Sequence, residues 1–287
     1  MVKRIGNFLD LKREYSDIKK AKVVILPVPY EGTVTYKKGT DKGPYEIIKA
    51  SQYLELYDEI LDLEPHRIGI ATLPALALPE DPYDVINIIY KNTKSLIQDG
   101  KFVVLLGGEH TISVGFCEAL VEKYPSLCVI QLDAHADLRE SFNGTRFSHA
   151  CTMARIREYA TDALQIGIRS MSSSEAEIIY KRNYKLLTMN KFRSNRIDIE
   201  KTLDEIENDI FLTIDVDVFD WSVIRNTGTP EPGGFLWDEA LDFISLIFKK
   251  KNVVGFDIVE LSPNGEDINS SFAAAKLVYK LIGFKFF

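Results

Sequence analysis

The chain has 287 residues, 46% hydrophobic and 27% charged, with 42 acidic against 35 basic side chains and a formal charge of −7. That composition excludes disordered, collagen-like and disulfide-scaffold classes, and leaves length for one large α/β domain or two small ones. The acidic balance argues against nucleic-acid or anionic-membrane partners, which require basic surface.

In chain order, short apolar runs alternate with longer amphipathic stretches. The apolar pattern predicts a strand at Val23–Leu26, a helix at Gly43–Ser51, a strand at Arg67–Ile70 and a helix at Pro82–Asp99. Pro82 at the start and Gly100 beyond the end of that last helix are boundary signals. A strand at Phe102–Leu106 leads to a helix at Thr111–Tyr124, and strands follow at Leu127–Leu132 and Ala163–Ile168. Helices at Ser172–Arg182 and Ile199–Asn208, a strand at Ile210–Ile214, a helix at Trp237–Lys250, a strand at Val253–Phe256 and a helix at Ser270–Ile282 complete the series. Strands apolar on both sides suit a parallel sheet covered on both faces, so the expected architecture is a three-layer α/β/α domain. No linker or composition shift divides 1–287, which reads as a single domain.

Three cysteines (Cys117, Cys128, Cys151) without CxxC spacing fit a reducing compartment. The segment Met1–Asp10 has early positive charge but no apolar core of a secretory signal. No uncharged apolar run approaches the ~18–20 residues of a membrane span. A cytoplasmic protein is expected.

Polar segments follow several of the strands: Gly107-Gly-Glu-His110, Asp133-Ala-His-Ala-Asp137 and Asp215-Val-Asp-Val-Phe-Asp220. Ligand crevices of open parallel sheets lie at the carboxyl ends of strands, so these segments are expected to converge. A straight strand would spread Asp133 and Asp137 by about 13 Å, so one compact site requires the chain to curl after Leu132. Four carboxylates at one edge would repel unless cations filled the gap. Asp133, Asp137, Asp215 and Asp217 with His110 and His135 suit two divalent ions, and the thiolate-free, oxygen-rich set leans to manganese over structural zinc.

These segments, with Ser148-His149-Ala, Gly228-Thr-Pro-Glu-Pro-Gly-Gly234 and Asp257-Ile-Val-Glu260-Leu-Ser-Pro263 in order, resemble the ureohydrolase family of arginases, agmatinases and formimidoylglutamases. The resemblance runs from about Pro27 to the C-terminus. It implies an arginase-like α/β/α fold with a mostly parallel sheet of about eight strands, and a trimer or hexamer. By motif, His110, Asp133, Asp137 and Asp215 would hold one Mn2+. Asp133, His135, Asp215 and Asp217 would hold a second, with Asp133 and Asp215 bridging. Glu109 stands where many members carry aspartate, at a position that is normally not a ligand; the change bears on hydrogen bonding around the ligands.

The expected chemistry is hydrolysis of a guanidino group. Two metals bridged by a water lower its pKa and aim the hydroxide at the guanidino carbon, after which the leaving amine must be protonated. Histidine is the side chain with an unperturbed pKa nearest neutrality, and the family motif selects His149 for proton transfer. Glu260 would bind the guanidinium through charge-assisted hydrogen bonds, and Thr229 would orient the substrate. Cys151, two residues past His149, reads as a buried spacer, and His66 lies outside every motif.

The loop Leu138–Ser148 lacks the Asn- and Ser-rich arginase pattern and looks like the version in agmatinase-like members. Agmatine carries an amine tail and no carboxylate, so an acidic wall suits it, with Glu140 and Glu231 as contributors. The expected reaction is agmatine plus water to putrescine plus urea. Arg139 and Arg146 keep carboxylate-bearing substrates open, so guanidinobutyrase, arginase or formimidoylglutamase activity is the alternative. A silent metal-binding subunit is the alternative from another class, and retention of His149 and Glu260 counts against it.

Overall fold

The computed structural model describes residues 6–194 and 198–287. Residues 1–5, which carry the charged start of the N-terminal reading, lie outside the described residues. Eight strands form one sheet: β1 Val23–Val28, β2 Ile70–Thr72, β3 Phe102–Gly107, β4 Cys128–Leu132, β5 Asp162–Ile168, β6 Lys185–Thr188, β7 Asp209–Asp215 and β8 Asn252–Val259. Their order is β2-β1-β3-β8-β7-β4-β5-β6, and every pairing is parallel. This is the α/β/α architecture of the arginase-like fold.

The period-2 alternation of a strand explains the two covered faces. In β3, Phe102, Val104 and Leu106 enter one core with the helices Gly43–Ser51, Trp237–Lys250 and Asn269–Phe286. Val103 and Leu105 point the other way, into a core with Pro82–Gln98, Ser113–Lys123 and Thr152–Ile156. Asp81 caps the second of these faces: its carboxylate accepts the N–H groups of Tyr83 and Asp84 ahead of Pro82.

Three differences from the sequence reading have local causes. The strand expected at Arg67–Ile70 begins only at Ile70, because Pro65–Ile68 forms a tight helical turn closed by Gly69 at φ 84°. The edge strand β6 escaped notice: it has four residues, of which only Leu187 is buried, so it shows no doubly apolar run. The helix expected at Ser172–Arg182 begins at Ser173, because Ser172 is its N-cap and forms a capping box with Glu175.

The four central strands β3, β8, β7 and β4 are neighbours in the sheet. Their carboxyl ends deliver His110, Glu260, Asp215 and Asp133 to one edge. Gly108 permits the tight exit from β3, since a Cβ there would lie 1.9 Å from the Tyr30 carbonyl oxygen.

Candidate metal centre and active site

The chain curls directly after β4. Asp133 follows the last strand residue, and Asp137 adopts a left-handed conformation at φ 51°, which turns its carboxylate back toward the strand ends. Glu260, one residue past β8, is left-handed as well, at φ 64°. Such conformations cost energy for residues with a Cβ and persist where surrounding contacts over-determine them. Glu260 is held by the backbone N–H of His110, which donates to its Oε1 at 2.7 Å.

All six expected ligands converge. His110 Nδ1 lies 3.1 Å from Asp133 Oδ2, 3.2 Å from Asp137 Oδ2 and 3.8 Å from Asp215 Oδ2. His135 Nδ1 lies 2.9 Å from Asp217 Oδ2 and 3.7 Å from Asp133 Oδ1. Two donor groups result, His110–Asp133–Asp137 and Asp133–His135–Asp217, each compact enough to hold a metal ion and sharing Asp133. The second oxygen of Asp215 is taken by the Asp217 N–H at 2.8 Å.

The donor chemistry fits cations. His110 Nδ1 and Asp217 Oδ2 are buried and make no well-angled hydrogen bond despite these short approaches, as expected of atoms aimed at a shared third point. Burial, followed by Asp217 and Asp137, pushes the Asp133 carboxyl up to about 7. Asp215 and Glu260 are raised well above the ordinary range, by burial first and then by neighbouring carboxylates. Burial opposes charge on the His135 imidazole, yet Asp217 and Asp133 outweigh it and push it up to about 10. Asp217 runs the other way: burial raises it, and His135, the Ala134 N–H and Arg169 together bring it below the ordinary value. Excess buried negative charge of this kind is what divalent ions neutralise.

Polar residues behind the donors set their orientation. His110 Nε2 meets Thr213 Oγ1 at 2.9 Å, Thr213 donates to Ser113 at 3.3 Å, and Ser113 donates to Asp257 Oδ2 at 2.6 Å. With the Thr213 proton committed to Ser113, Nε2 must be the donor, which leaves Nδ1 as the nitrogen facing the carboxylates. Burial opposes charge on this imidazole, yet Asp133 and Asp137 outweigh it and hold its pKa well above the ordinary value. Gln131 donates to Asp133 Oδ2 at 2.7 Å and is itself held by Gln165 at 2.6 Å. Sequence reasoning passed over Thr213, Ser113, Gln131 and Gln165. A usable signal existed: two glutamines and a threonine interrupt strands that are otherwise apolar on both faces.

A cavity of about 250 Å³ opens beside the donors and is lined by His110, His135, Asp137 and Asp215 together with His149, Thr229 and Glu260. The expected proton carrier and both expected substrate residues therefore share the space that the donors border. A Cβ at Gly228 would lie 3.3 Å from Glu260 Oε2, so glycine keeps that oxygen uncrowded. Arg139 also reaches the cavity, its guanidinium 4.9 Å over the Phe142 ring and 3.9 Å from Glu175. Glu175, buried in the same wall, was not singled out from sequence.

The two candidates for an acidic wall separate. Glu231 lies 3.9 Å from His135 Nε2. Glu140 is not among the lining residues; it is exposed and paired with Arg146 and Arg155 at 3.1 and 2.8 Å. The same ion pair takes Arg146 out of the cavity wall. All three cysteines are buried and free, with thiols pushed up by burial. His66 is buried, its ring 4.9 Å from that of Tyr15, and burial lowers its pKa.

The model of the Arginase family matches residues 21–283. The chain belongs to the arginase family. An N(1)-aminopropylagmatine ureohydrolase of Synechocystis sp. is 38% identical over 274 residues, covering 92% of this chain and 89% of the relative. An agmatinase of Pyrococcus horikoshii is 34% identical, covering 96% of this chain and 95% of its own. The solved agmatine ureohydrolase of Thermoplasma volcanium superimposes with a TM-score of 0.86 at 30% identity, over 94% of this chain and 92% of that one. The protein is an arginase-family ureohydrolase of the agmatinase type. No helix among the described residues is long and apolar enough to cross a membrane.

Proposed function

We propose that this arginase-family chain, one domain over 1–287, hydrolyses agmatine to putrescine and urea with two Mn2+ ions. One observation carries the reading: two donor groups sharing Asp133, His110–Asp133–Asp137 and Asp133–His135–Asp217, stand beside the cavity that His110, His135, Asp137 and Asp215 line together with His149 and Glu260. His110, Asp133, Asp137 and Asp215 would hold one ion, and Asp133, His135, Asp215 and Asp217 the other. When bound, the ions supply a water of lowered pKa and positive charge against the developing anion.

The remaining roles belong to the protein. Glu260 pairs with the guanidinium through its free oxygen, while its other oxygen is fixed by the His110 N–H. Positive charge on the substrate favours the carboxylate form, which burial and neighbouring carboxylates disfavour. Thr229 orients the substrate from the opposite loop. His149 delivers a proton to the leaving amine, which departs as the diamine.

The amine tail extends toward a wall that holds Glu175. Arg139 there is already engaged by Glu175 and Phe142, which weakens the case for a substrate carboxylate. The Synechocystis relative supports a second reading, N(1)-aminopropylagmatine, whose longer cationic tail meets the same chemistry. We place the enzyme in the cytoplasm as a homo-oligomer, a trimer or hexamer.

The test is urea release after manganese loading, comparing agmatine, aminopropylagmatine, arginine, guanidinobutyrate and formimidoylglutamate. Agmatine or its aminopropyl derivative is expected to give the highest kcat/KM. Preference for arginine or guanidinobutyrate overturns the substrate assignment, and turnover of formimidoylglutamate alone overturns the guanidino reading.

A further inference from the structure

Glu109 lies beside a donor histidine, yet its hydrogen bonds run to Gly32, Thr33 and Thr111 and not to the donors. Its carboxylate accepts four hydrogen bonds. Oε2 takes the backbone N–H groups of Gly32 and Thr33 at 3.0 and 2.8 Å. Oε1 takes the hydroxyls of Thr33 and Thr111, both at 2.8 Å. Thr33 Oγ1 in turn stands 3.1 Å from His149 Nδ1 and accepts the His149 backbone N–H at 3.1 Å.

A hydroxyl has one proton to give and two lone pairs to receive with. The Thr33 proton goes to the carboxylate, an acceptor only, so toward His149 the oxygen can only accept. We infer that Glu109 and Thr33 are positioning residues for His149, which hold the proton on Nδ1 and leave Nε2 as the nitrogen that exchanges protons in the cavity. The same grammar orients His110 through Thr213, Ser113 and Asp257. Ser148 Oγ, at 3.4 Å, is a weaker second neighbour of Nδ1, and Phe142 presents its ring at 6.2 Å. The charged groups that share the His149 cavity are His110, His135, Asp137, Asp215 and Glu260. Arg139 and Glu175 complete that set.

The inference rests on the ureohydrolase reading, in which His149 carries a proton. Three variants test it in the manganese-loaded enzyme. Thr33→Val removes the acceptor and is expected to lower kcat roughly 10- to 100-fold, a share of the 10²–10⁴ that general acid–base catalysis supplies, with KM and metal content unchanged. Thr33→Ser restores the hydroxyl and is expected to restore kcat to within about threefold of wild type. Glu109→Gln keeps the shape but reverses the chain. Its amide oxygen best faces the two backbone N–H groups, its NH2 then faces the hydroxyls, and the Thr33 proton is released toward Nδ1. The pH limb of kcat set by His149 is expected to move to lower pH.

A second measurement needs no turnover. The pH dependence of His149 carbethoxylation, read by peptide mass spectrometry, reports its apparent pKa, which is expected to fall in Glu109→Gln. Unchanged kcat and pH profile in Thr33→Val overturn the inference, as does equal impairment in Thr33→Val and Thr33→Ser, which marks a packing role. Metal loss in Glu109→Gln overturns it too, because the residue then acts through His110. A wild type that releases no urea from any guanidino compound defeats the functional reading alone; the carbethoxylation shift still decides the inference.

Discussion

Two buried charge clusters in this molecule are built on opposite plans. Lys280, 1% exposed on the C-terminal helix, meets the fully buried Asp58 at 2.9 Å and Glu59 at 2.8 Å. Asp58 also accepts the N–H groups of Ile60 and Leu61 at 3.0 Å each. There the protein supplies its own countercharge. At the strand ends, Asp133, Asp137, Asp215, Asp217 and Glu260 crowd two imidazoles, and Asp133, Asp215 and Glu260 are raised above the carboxylate range. The difference separates a structural ion pair from a site: charge that the fold leaves uncompensated marks where a ligand belongs.

The comparison breaks most visibly at Asp133, the donor common to both groups. Asp133→Ala is expected to lose metal and, with several kcal/mol of charge stabilisation gone, about 10³-fold or more in kcat/KM. Metal analysis and melting with and without manganese check it, and the metal-dependent rise in Tm should vanish. Lys280→Met strands Asp58 without its partner and should cost about 3–5 kcal/mol by denaturant titration. In the fraction that remains folded, kcat should be unchanged. A smaller effect is expected from Gln131→Leu, which frees one oxygen of Asp133; manganese affinity should fall about 10–100-fold in a competitive titration, with the fold intact.

The subtlest contrast lies in pH dependence. Glu59, held well below its ordinary 4.5 chiefly by its hydrogen bond to Lys280, adds stability that is present above that value and lost as pH falls through the lowered pKa. Asp133 has the opposite sign: its contribution is present below the ordinary 3.8 and lost as pH rises through about 7. Chelated protein should therefore lose stability between about pH 4 and 7, and manganese should flatten that slope by favouring the charged carboxylates. Denaturant midpoints across this range, with and without chelator, provide the check; a chelated slope that rises with pH contradicts it.

Much of this was legible in the sequence for a physical reason. Doubly buried parallel strands are largely apolar, so β1, β3, β4, β5, β7 and β8 announced themselves, and the polar residues that end them stood out by contrast. The curl after Leu132 followed from strand rise together with the expectation of one compact site, and the structure realises it with Asp137 in a left-handed conformation. What the sequence left open depends on partners distant along the chain. Glu140 and Glu231 read alike as acidic loop residues, yet an ion pair with Arg155 takes one away, while the other lies near His135. Edge strand β6, with one buried residue, had no pattern to display.

By itself, then, the sequence determined the α/β alternation, the donor residues and their place at strand ends, because burial and ligand chemistry restrict residue type locally. Only the tertiary structure decided which protons face which lone pairs. Thr33 and Glu109 are 76 residues apart and Thr33 and His149 are 116 apart. No local pattern encodes a hydrogen bond whose direction is set by a third group brought in from another strand end.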